Sequence, residues 1–279
     1  MAKKNGCRVI AITDHDTISG VEEAITTGVT LGVRVIPGIE LSVEDHHIHI
    51  LGLGIDTAYP PLLAMTQNLI VSRLARAQEM VKRFHEDGFL ITWEDVTREA
   101  KGPVIARPHI VDAILKHPEN IQKIGGPMTK NEFFRTYLYD TSKYYVHHSN
   151  ISAKDAIRLI HDAGGIAIWS HPPIPAFQGN CAGLESFLKE LLEWGLDGIE
   201  ALGPSLTAGD TKCLDELSKR YSLLRTAGSD FHEQSDPGDT PWPRSAATIG
   251  EFPTYGYSTE GVVEAVDEAI AARHAERHH

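Results

Sequence analysis

The stretch that decides the fold is Val9-Ile10-Ala11-Ile12, four apolar residues that lead directly into the polar string Thr13-Asp14-His15-Asp16. Two later stretches resemble it. Ile166-Ala167-Ile168-Trp169 leads into Ser170-His171-Pro172, and Leu223-Leu224 shortly precedes Gly228-Ser229-Asp230-Phe231-His232. Short apolar runs bounded by polar residues are typical of buried strands in a parallel sheet. Because the C-terminal ends of barrel strands meet at one rim, the pattern predicts that His and Asp side chains gather there.

The size and charge of the chain limit the classes of protein to which it can belong. Its 279 residues are enough for one large α/β domain, or for one domain with an insert. The net charge of -12 argues against broad contact with a long nucleic acid, but it leaves room for a small phosphate ester. The sequence has no apolar run long enough to span a membrane, so we expect no membrane partner.

The cysteines suggest a cellular location. Cys7, Cys181 and Cys213 are few, odd in number and far apart, which argues against a disulfide framework and against a thiolate-rich zinc site. The first residues show no apolar core of the kind found in a signal peptide. We therefore expect a reducing compartment and a cytoplasmic protein.

The distribution of strand and helix patterns indicates two regions. Strand-like and helix-like segments alternate up to about residue 57 and again from about residue 150. Between them, residues 62–87 have helical apolar spacing with no strand partner, and 91–139 continues in short helical pieces. These patterns predict a barrel-like α/β body at 1–57 and 150–279 with a mostly helical insert at 58–149. The Pro- and Gly-rich span 233–258 is predicted to be a long loop over the rim.

Six imidazole or carboxylate side chains lie at or beside predicted strand ends, and they form the candidate metal site: His15, Glu40, His49, His171, Asp230 and His232. Such a donor set without thiols suits Mn, Fe or Zn in a hydrolytic site, where Glu40 is able to bridge two cations. A single histidine at a strand end is more often structural than a ligand. The joint placement of six such residues favours a metal site.

The chain resembles the polymerase and histidinol phosphatase (PHP) superfamily, specifically its stand-alone metal-dependent phosphoesterase branch. The blocks that carry the resemblance follow the family's order along nearly the whole chain, and they are Ala11–Thr17, Ile36–Ser42, His49–Gly52, Ala106–Ile110, Gly164–Pro172, Gly195–Glu200 and Gly228–His232. The resemblance implies a distorted (β/α)7 barrel, up to three divalent metal ions, and the six residues named above as ligands. It also implies that Arg107 and His109, in the insert, lie near the substrate phosphate. The alternative for this block is an ordinary helix N-terminus with Pro108 in its first turn.

One part of the family pattern has no counterpart in the sequence. The family opens with a strand carrying His-x-His, whereas residues 2–10 resemble the end of the first helix and the start of the second strand. We therefore expect the first strand of the barrel to be missing, and fewer metal ions and little activity in this chain. A shortened N-terminus and a degenerate family member both remain open, as does the origin of the terminal His278-His279 pair.

The function expected from this resemblance is hydrolysis of small phosphate esters by metal-activated water. Nucleotides, or the end of a short oligonucleotide, are the leading substrates. The first alternative is a truncated or degenerate member with reduced metal binding. A weaker alternative is a metal-dependent amidohydrolase, whose site would not need the block containing Arg107 and His109.

Overall fold

The computed structural model describes residues 1–45, 48–100, 105–139, 141–146, 151–173, 180–232, 246 and 248–277. Residues 233–245 and 247 of the predicted loop at 233–258 therefore lie outside the described residues, and so does the pair His278-His279. The chain divides into two compact units, one formed by Met1–Thr66 with Asn150–His279 and the other by Gln67–Ser149.

The first unit is a mixed α/β body around a curled, half-barrel sheet of six strands in the order β1 to β6. The expectation of an alternating α/β body is confirmed in this coarser form. The strands are β1 (Val9–Ile12), β2 (Arg34–Ser42), β3 (His49–Leu53), β4 (Ile166–Ser170), β5 (Gly198–Leu202) and β6 (Leu224–Ala227). The middle of the sheet is the part most excluded from solvent, since Ile50, Ile168 and Trp169 are fully buried.

The expectation of a parallel sheet is wrong at β3. This strand runs antiparallel to both β2 and β4, whereas the pairs β1–β2, β4–β5 and β5–β6 are parallel. The reason is the short connection between β2 and β3, which Val43 closes by donating its backbone N–H to the carbonyl of Ile48. A parallel neighbour needs a crossover of about a dozen residues or more, so a link of this length permits only a hairpin.

Five α-helices lie wholly in the described part of this unit. They are α1 (Val21–Leu31), α7 (Ala153–Asp162), α8 (Cys181–Glu193), α9 (Ala208–Arg220) and α10 (Val262–Arg277). Side-chain hydrogen bonds cap the start of α7, α8 and α9, whereas α1 starts at Gly20 without one. Asn180 caps α8 and Thr207 caps α9, each accepting a backbone N–H three residues ahead. Helix α10 packs over the sheet through Val266 and Ile270.

The second unit contains only helices among its described residues. They are the rest of α2 (Pro60–Glu86), α3 (Trp93–Ala100), α4 (Arg107–Leu115), α5 (Pro118–Lys123) and α6 (Lys130–Tyr137). Its core is rich in aromatic residues, and the rings of Phe84 and Tyr144 stack with their centroids 4.0 Å apart. Buried Asn120 joins two segments by accepting the N–H of Leu90 and donating to the carbonyls of Leu90 and Ile114.

The expectation of no disulfide is wrong. Cys181 at the start of α8 and Cys213 on α9 form a disulfide, with their Cα atoms 5.9 Å apart. The 32-residue separation conceals the pair in the sequence, because only the packing of α8 beside α9 brings the two sulfur atoms together. Among the described residues, no helix is both long and apolar enough to cross a membrane.

Candidate metal centre

Glu40 is the centre of a cluster of histidines in the first unit. Its Oε1 lies 2.9 Å from Nδ1 of His49 and 3.0 Å from Nε2 of His171. Its Oε2 lies 3.5 Å from Nδ1 of His15. The two imidazoles of His49 and His171 are themselves 3.2 Å apart, nitrogen to nitrogen. A single buried carboxylate therefore holds three imidazoles around it.

The strand directions explain how these residues meet. His171 directly follows the end of β4, and the segment after β1 pairs with β2 through His15 and Glu40. His49 instead begins β3, and it is paired with Ser42 on one side and Ser170 on the other. Because β3 is antiparallel, its first residue lies at the same rim as the last residues of β2 and β4.

Sharp backbone turns follow the strands that carry these side chains. Asp16, His171 and Asp230 have φ values of 56°, 26° and 44°. Few residues other than glycine adopt positive φ, and such strained positions concentrate at functional sites. The Asp16 turn is held by its carboxylate, which accepts the backbone N–H and the hydroxyl of Ser42.

The cluster is strongly polarised. Burial raises the pKa of Glu40, but the charges of His15 and His49 and the hydrogen bonds from His171 and His49 together place it well below 4.5. Burial lowers the pKa of His171, but its hydrogen bond to Glu40 and the surrounding negative charges raise it to about 9. A metal ion held by His171 would have to displace this proton, since histidine binds a metal as a neutral ring.

Three further carboxyl groups around the cluster have raised pKa values. Burial, together with the charges of Asp230 and Glu40, raises the pKa of Glu200 to about 7. Burial and the charge of Glu40 also raise the pKa of Asp230 and that of Asp14. Several carboxyl groups thus lie close together in a buried space, where their negative charges repel one another. Bound cations would reduce this repulsion.

Two groups of side chains present donor atoms close enough to hold a metal ion, within 4.8 Å of one another. The first group is His15, Glu40 and His49, and the second is Glu40, His171 and Asp230. Both contain imidazole nitrogen and carboxylate oxygen without thiolate, a set that fits a divalent ion such as Mn, Fe or Zn. Glu40 belongs to both groups, so its carboxylate would serve both ions if each group held one.

His232 lies beside these groups and belongs to neither. Its ring centroid is 6.1 Å from that of His15, and its Nδ1 donates a hydrogen bond to the carbonyl of Asp230. The structure therefore brings five of the six predicted ligands into two donor groups and places the sixth next to them.

Arg107 and His109 lie in the second unit, at the start of α4. His109 Nδ1 accepts the backbone N–H of Ala106, which requires the ring hydrogen to be on Nε2. Arg107 donates to the carbonyl of Leu138, and its guanidinium lies 4.8 Å from the ring centroid of Phe134. The block thus forms a helix N-terminus, and it also holds a guanidinium and an imidazole N–H donor in defined positions.

Sequence reasoning assigned no role to Glu200. It is 7% exposed, and its carboxylate accepts the backbone N–H of His171 at 2.9 Å and the hydroxyl of Ser170 at 3.3 Å. The signal was present, since a lone carboxylate interrupts the otherwise apolar strand Gly198–Leu202. A charged residue in such a strand is almost never fully buried without a specific partner.

Comparison with known sequences identifies relatives over most of the chain, although no family model matches it. The chain is 31% identical over 238 residues to the phosphoribosyl 1,2-cyclic phosphate 1,2-diphosphodiesterase of Eggerthella lenta, covering 83% of this chain and 85% of that protein. It is 30% identical to the 5'-3' exoribonuclease of Haemophilus influenzae, covering 83% and 81%. It is also 30% identical to the 3',5'-nucleoside bisphosphate phosphatase of Chromobacterium violaceum, covering 82% and 79%.

Solved structures of similar fold cover nearly the whole chain. One, assigned as a metal-dependent phosphoesterase from Bifidobacterium adolescentis, superposes with a TM-score of 0.78 at 28% identity, over 96% of this chain and 88% of the other. A second, described as an amidohydrolase from Chromobacterium violaceum with bound sulfate and no metal, gives 0.77 at 26% identity, over 98% and 88%.

Proposed function

We propose that this chain, which belongs to the PHP family of metal-dependent phosphoesterases, hydrolyses phosphate esters of nucleotides or of the end of a short oligonucleotide. The chain is a phosphoesterase, and hence a hydrolase, that uses divalent metal. Its three relatives are named for RNA, a phosphoribosyl cyclic phosphate and a nucleoside bisphosphate. All three substrates carry phosphate on a ribose, and the net charge of -12 favours the smaller ones.

The observation that carries the proposal is the sharing of Glu40 between two donor groups. We assign His15, Glu40, His49, His171, Asp230 and His232 as the metal ligands, with Mn, Fe or Zn as the metal. The family takes up to three ions, and the two donor groups favour fewer here. The ions supply Lewis acidity to the phosphoryl oxygens and activate water. The protein's part is to hold the ligands with a buried, negatively charged Glu40 among three imidazoles.

Arg107 and His109 are proposed to bind the substrate phosphate. A guanidinium presents a planar pair of N–H donors that matches two phosphate oxygens. The contacts of Arg107 with Leu138 and Phe134 fix the direction of that fork, and the Nε2 hydrogen of His109 supplies a further donor. Both groups stabilise negative charge on the phosphate.

The name of the Chromobacterium violaceum structure favours a second candidate, amide-bond hydrolysis. Three relatives named for phosphoester chemistry outweigh it. The degenerate-member alternative differs from the main proposal in metal content and turnover. A cytoplasmic location also remains a prediction, and the disulfide removes the cysteine argument for it.

The test is an assay of the purified chain with Mn²⁺ against a nucleoside 3',5'-bisphosphate, a 5'-phosphorylated trinucleotide and a panel of N-acyl amides. We expect phosphate or nucleotide release that a chelator abolishes and that Glu40→Gln removes. His85→Ala, which changes an exposed histidine on α2, is the matched control and should retain activity. Cleavage confined to the amides would overturn the proposal, and metal-free, inactive wild type would favour the degenerate member.

A further inference from the structure

We propose that Glu200 is a positioning residue that sets the metal affinity of the site by fixing the turn that carries His171. The inference rests on the proposed role of His171 as a metal ligand, and it adds a residue and a mechanism that this role does not contain. Glu200 lies in the interior of the first unit, on β5, where an ionisable side chain requires specific partners.

The position of Glu200 is explained by the way β4 and β5 separate. The two strands pair only through Ile168 with Gly198 and Trp169 with Ile199. Beyond that point, the Glu200 carboxylate accepts the Ser170 hydroxyl and the His171 N–H. The Glu200 side chain thus supplies hydrogen bonds where the backbone pairing of β4 with β5 ends, next to His171, whose φ is 26°.

This turn determines where the imidazole of His171 lies. The ring nitrogen Nε2 is 3.0 Å from Glu40 and 3.2 Å from His49, so a small rotation of the backbone at residue 171 would break the donor group. A positive φ is costly for a residue with a side chain, and it persists only where neighbours hold it. Glu200, which accepts the His171 N–H, is a neighbour of this kind.

Gly228 provides the space that Glu200 needs. A Cβ atom built on Gly228 would overlap Oε1 of Glu200. Gly228 also donates its N–H to the carbonyl of Leu202, and it stands two residues before the proposed ligand Asp230. The carboxylate therefore sits between the ends of β4 and β6, the two strands that lead to His171 and Asp230.

Direct ligation by Glu200 is the competing role, and the geometry is against it. Neither donor group found among the described residues includes Glu200. Its Oε2 is already occupied by the N–H of His171 and the hydroxyl of Ser170. Glu200 acts through His171 and does not contact the metal.

The experiment measures binding of Mn²⁺ alone to the chelator-treated 279-residue chain by calorimetry, together with the Mn²⁺ requirement and the substrate KM of the loaded enzyme. Removal of an outer-shell partner costs about 10- to 100-fold in metal affinity. We expect a loss in that range for Glu200→Ala, with the substrate KM unchanged at saturating Mn²⁺. Glu200→Gln keeps an acceptor oxygen for the His171 N–H, so it should lose less than about tenfold.

Asp197→Asn is the matched control for stability. Asp197 precedes β5 and accepts the N–H of Ala167 near the beginning of β4, as Glu200 accepts that of His171 after its end. Asp197→Asn should lower the melting temperature without changing Mn²⁺ affinity.

Gly228→Ala provides an independent route if Glu200→Ala does not fold. It should displace the carboxylate and weaken Mn²⁺ binding by itself. Where Glu200→Ala does fold, this loss should disappear in the double variant. Three results would overturn the positioning role alone. The first is wild-type Mn²⁺ affinity in Glu200→Ala or Gly228→Ala, and the second is additive losses of affinity in the double variant. The third is a Glu200→Gln variant that binds Mn²⁺ as weakly as Glu200→Ala does. A wild-type chain that binds no Mn²⁺ would overturn the proposed metal site together with it.

Discussion

The metal-free chain should lose stability as the pH rises from 6.5 to 9, and Glu40→Gln should remove this loss. In the folded state the negative charge of Glu40 holds a proton on His171, whose pKa is raised to about 9. In the unfolded chain this pKa returns to about 6.5. The folded state therefore binds the proton more tightly, so the contribution is fully present below pH 6.5 and is lost by pH 9.

The magnitude follows from the difference between the two pKa values. From about 6.5 to about 9, at about 1.4 kcal/mol for each pH unit, the free energy of unfolding should fall by up to about 3 kcal/mol. His171 is only 18% exposed at its side chain, so solvent screening removes little of this effect. The raised pKa of Glu200 acts mainly below pH 7, which leaves the upper part of the range to His171.

The assay is urea unfolding in the presence of a chelator at several pH values between 6.5 and 9.5. Wild type should show a midpoint that falls with pH, and Glu40→Gln should show a nearly flat midpoint over the same range. His85→Ala removes an exposed histidine from the second unit and should keep the wild-type slope. A flat wild-type profile, or an unchanged slope in Glu40→Gln, would refute the coupling of Glu40 to His171.

Three further outcomes are expected. Arg107→Ala should raise KM for a nucleotide substrate at least tenfold, whereas the exposed Arg135→Ala on α6 should not; equal KM values in steady-state kinetics would remove Arg107 from the phosphate site. Asp197→Asn should destabilise the fold by about 2 kcal/mol at pH 7 in urea unfolding. Burial raises the pKa of Asp197, but bonds from His161 and the Ala167 N–H place it below its usual value. The stabilisation by ionised Asp197 is therefore lost as the pH falls below about 4. The difference in the free energy of unfolding between wild type and Asp197→Asn should narrow there. Reduction of the disulfide, which closes a loop of 32 residues, should cost about 4 kcal/mol; dithiothreitol should then lower the melting temperature of wild type and have no effect on Cys213→Ser.

The features that could be predicted from the sequence alone are those that depend on neighbouring residues along the chain. The strands Val9–Ile12 and Ile166–Ser170 were predictable because each contains four consecutive apolar residues that lead directly into a polar string. The donor residues His15 and His171 were recognisable for the same local reason, since each follows such a run. The ligand roles assigned to them remain predictions that metal binding will test.

Other features depended on which segments pack together in three dimensions. The antiparallel direction of β3 brought the first residue of that strand, His49, to the rim where β2 and β4 end. The Cys181–Cys213 disulfide arose from the packing of α8 beside α9. Glu200 hydrogen-bonds the backbone N–H of His171, 29 residues earlier in the chain. Local sequence encodes the burial and polarity of each segment, whereas strand direction and side-chain partners follow from the one arrangement that buries all segments together.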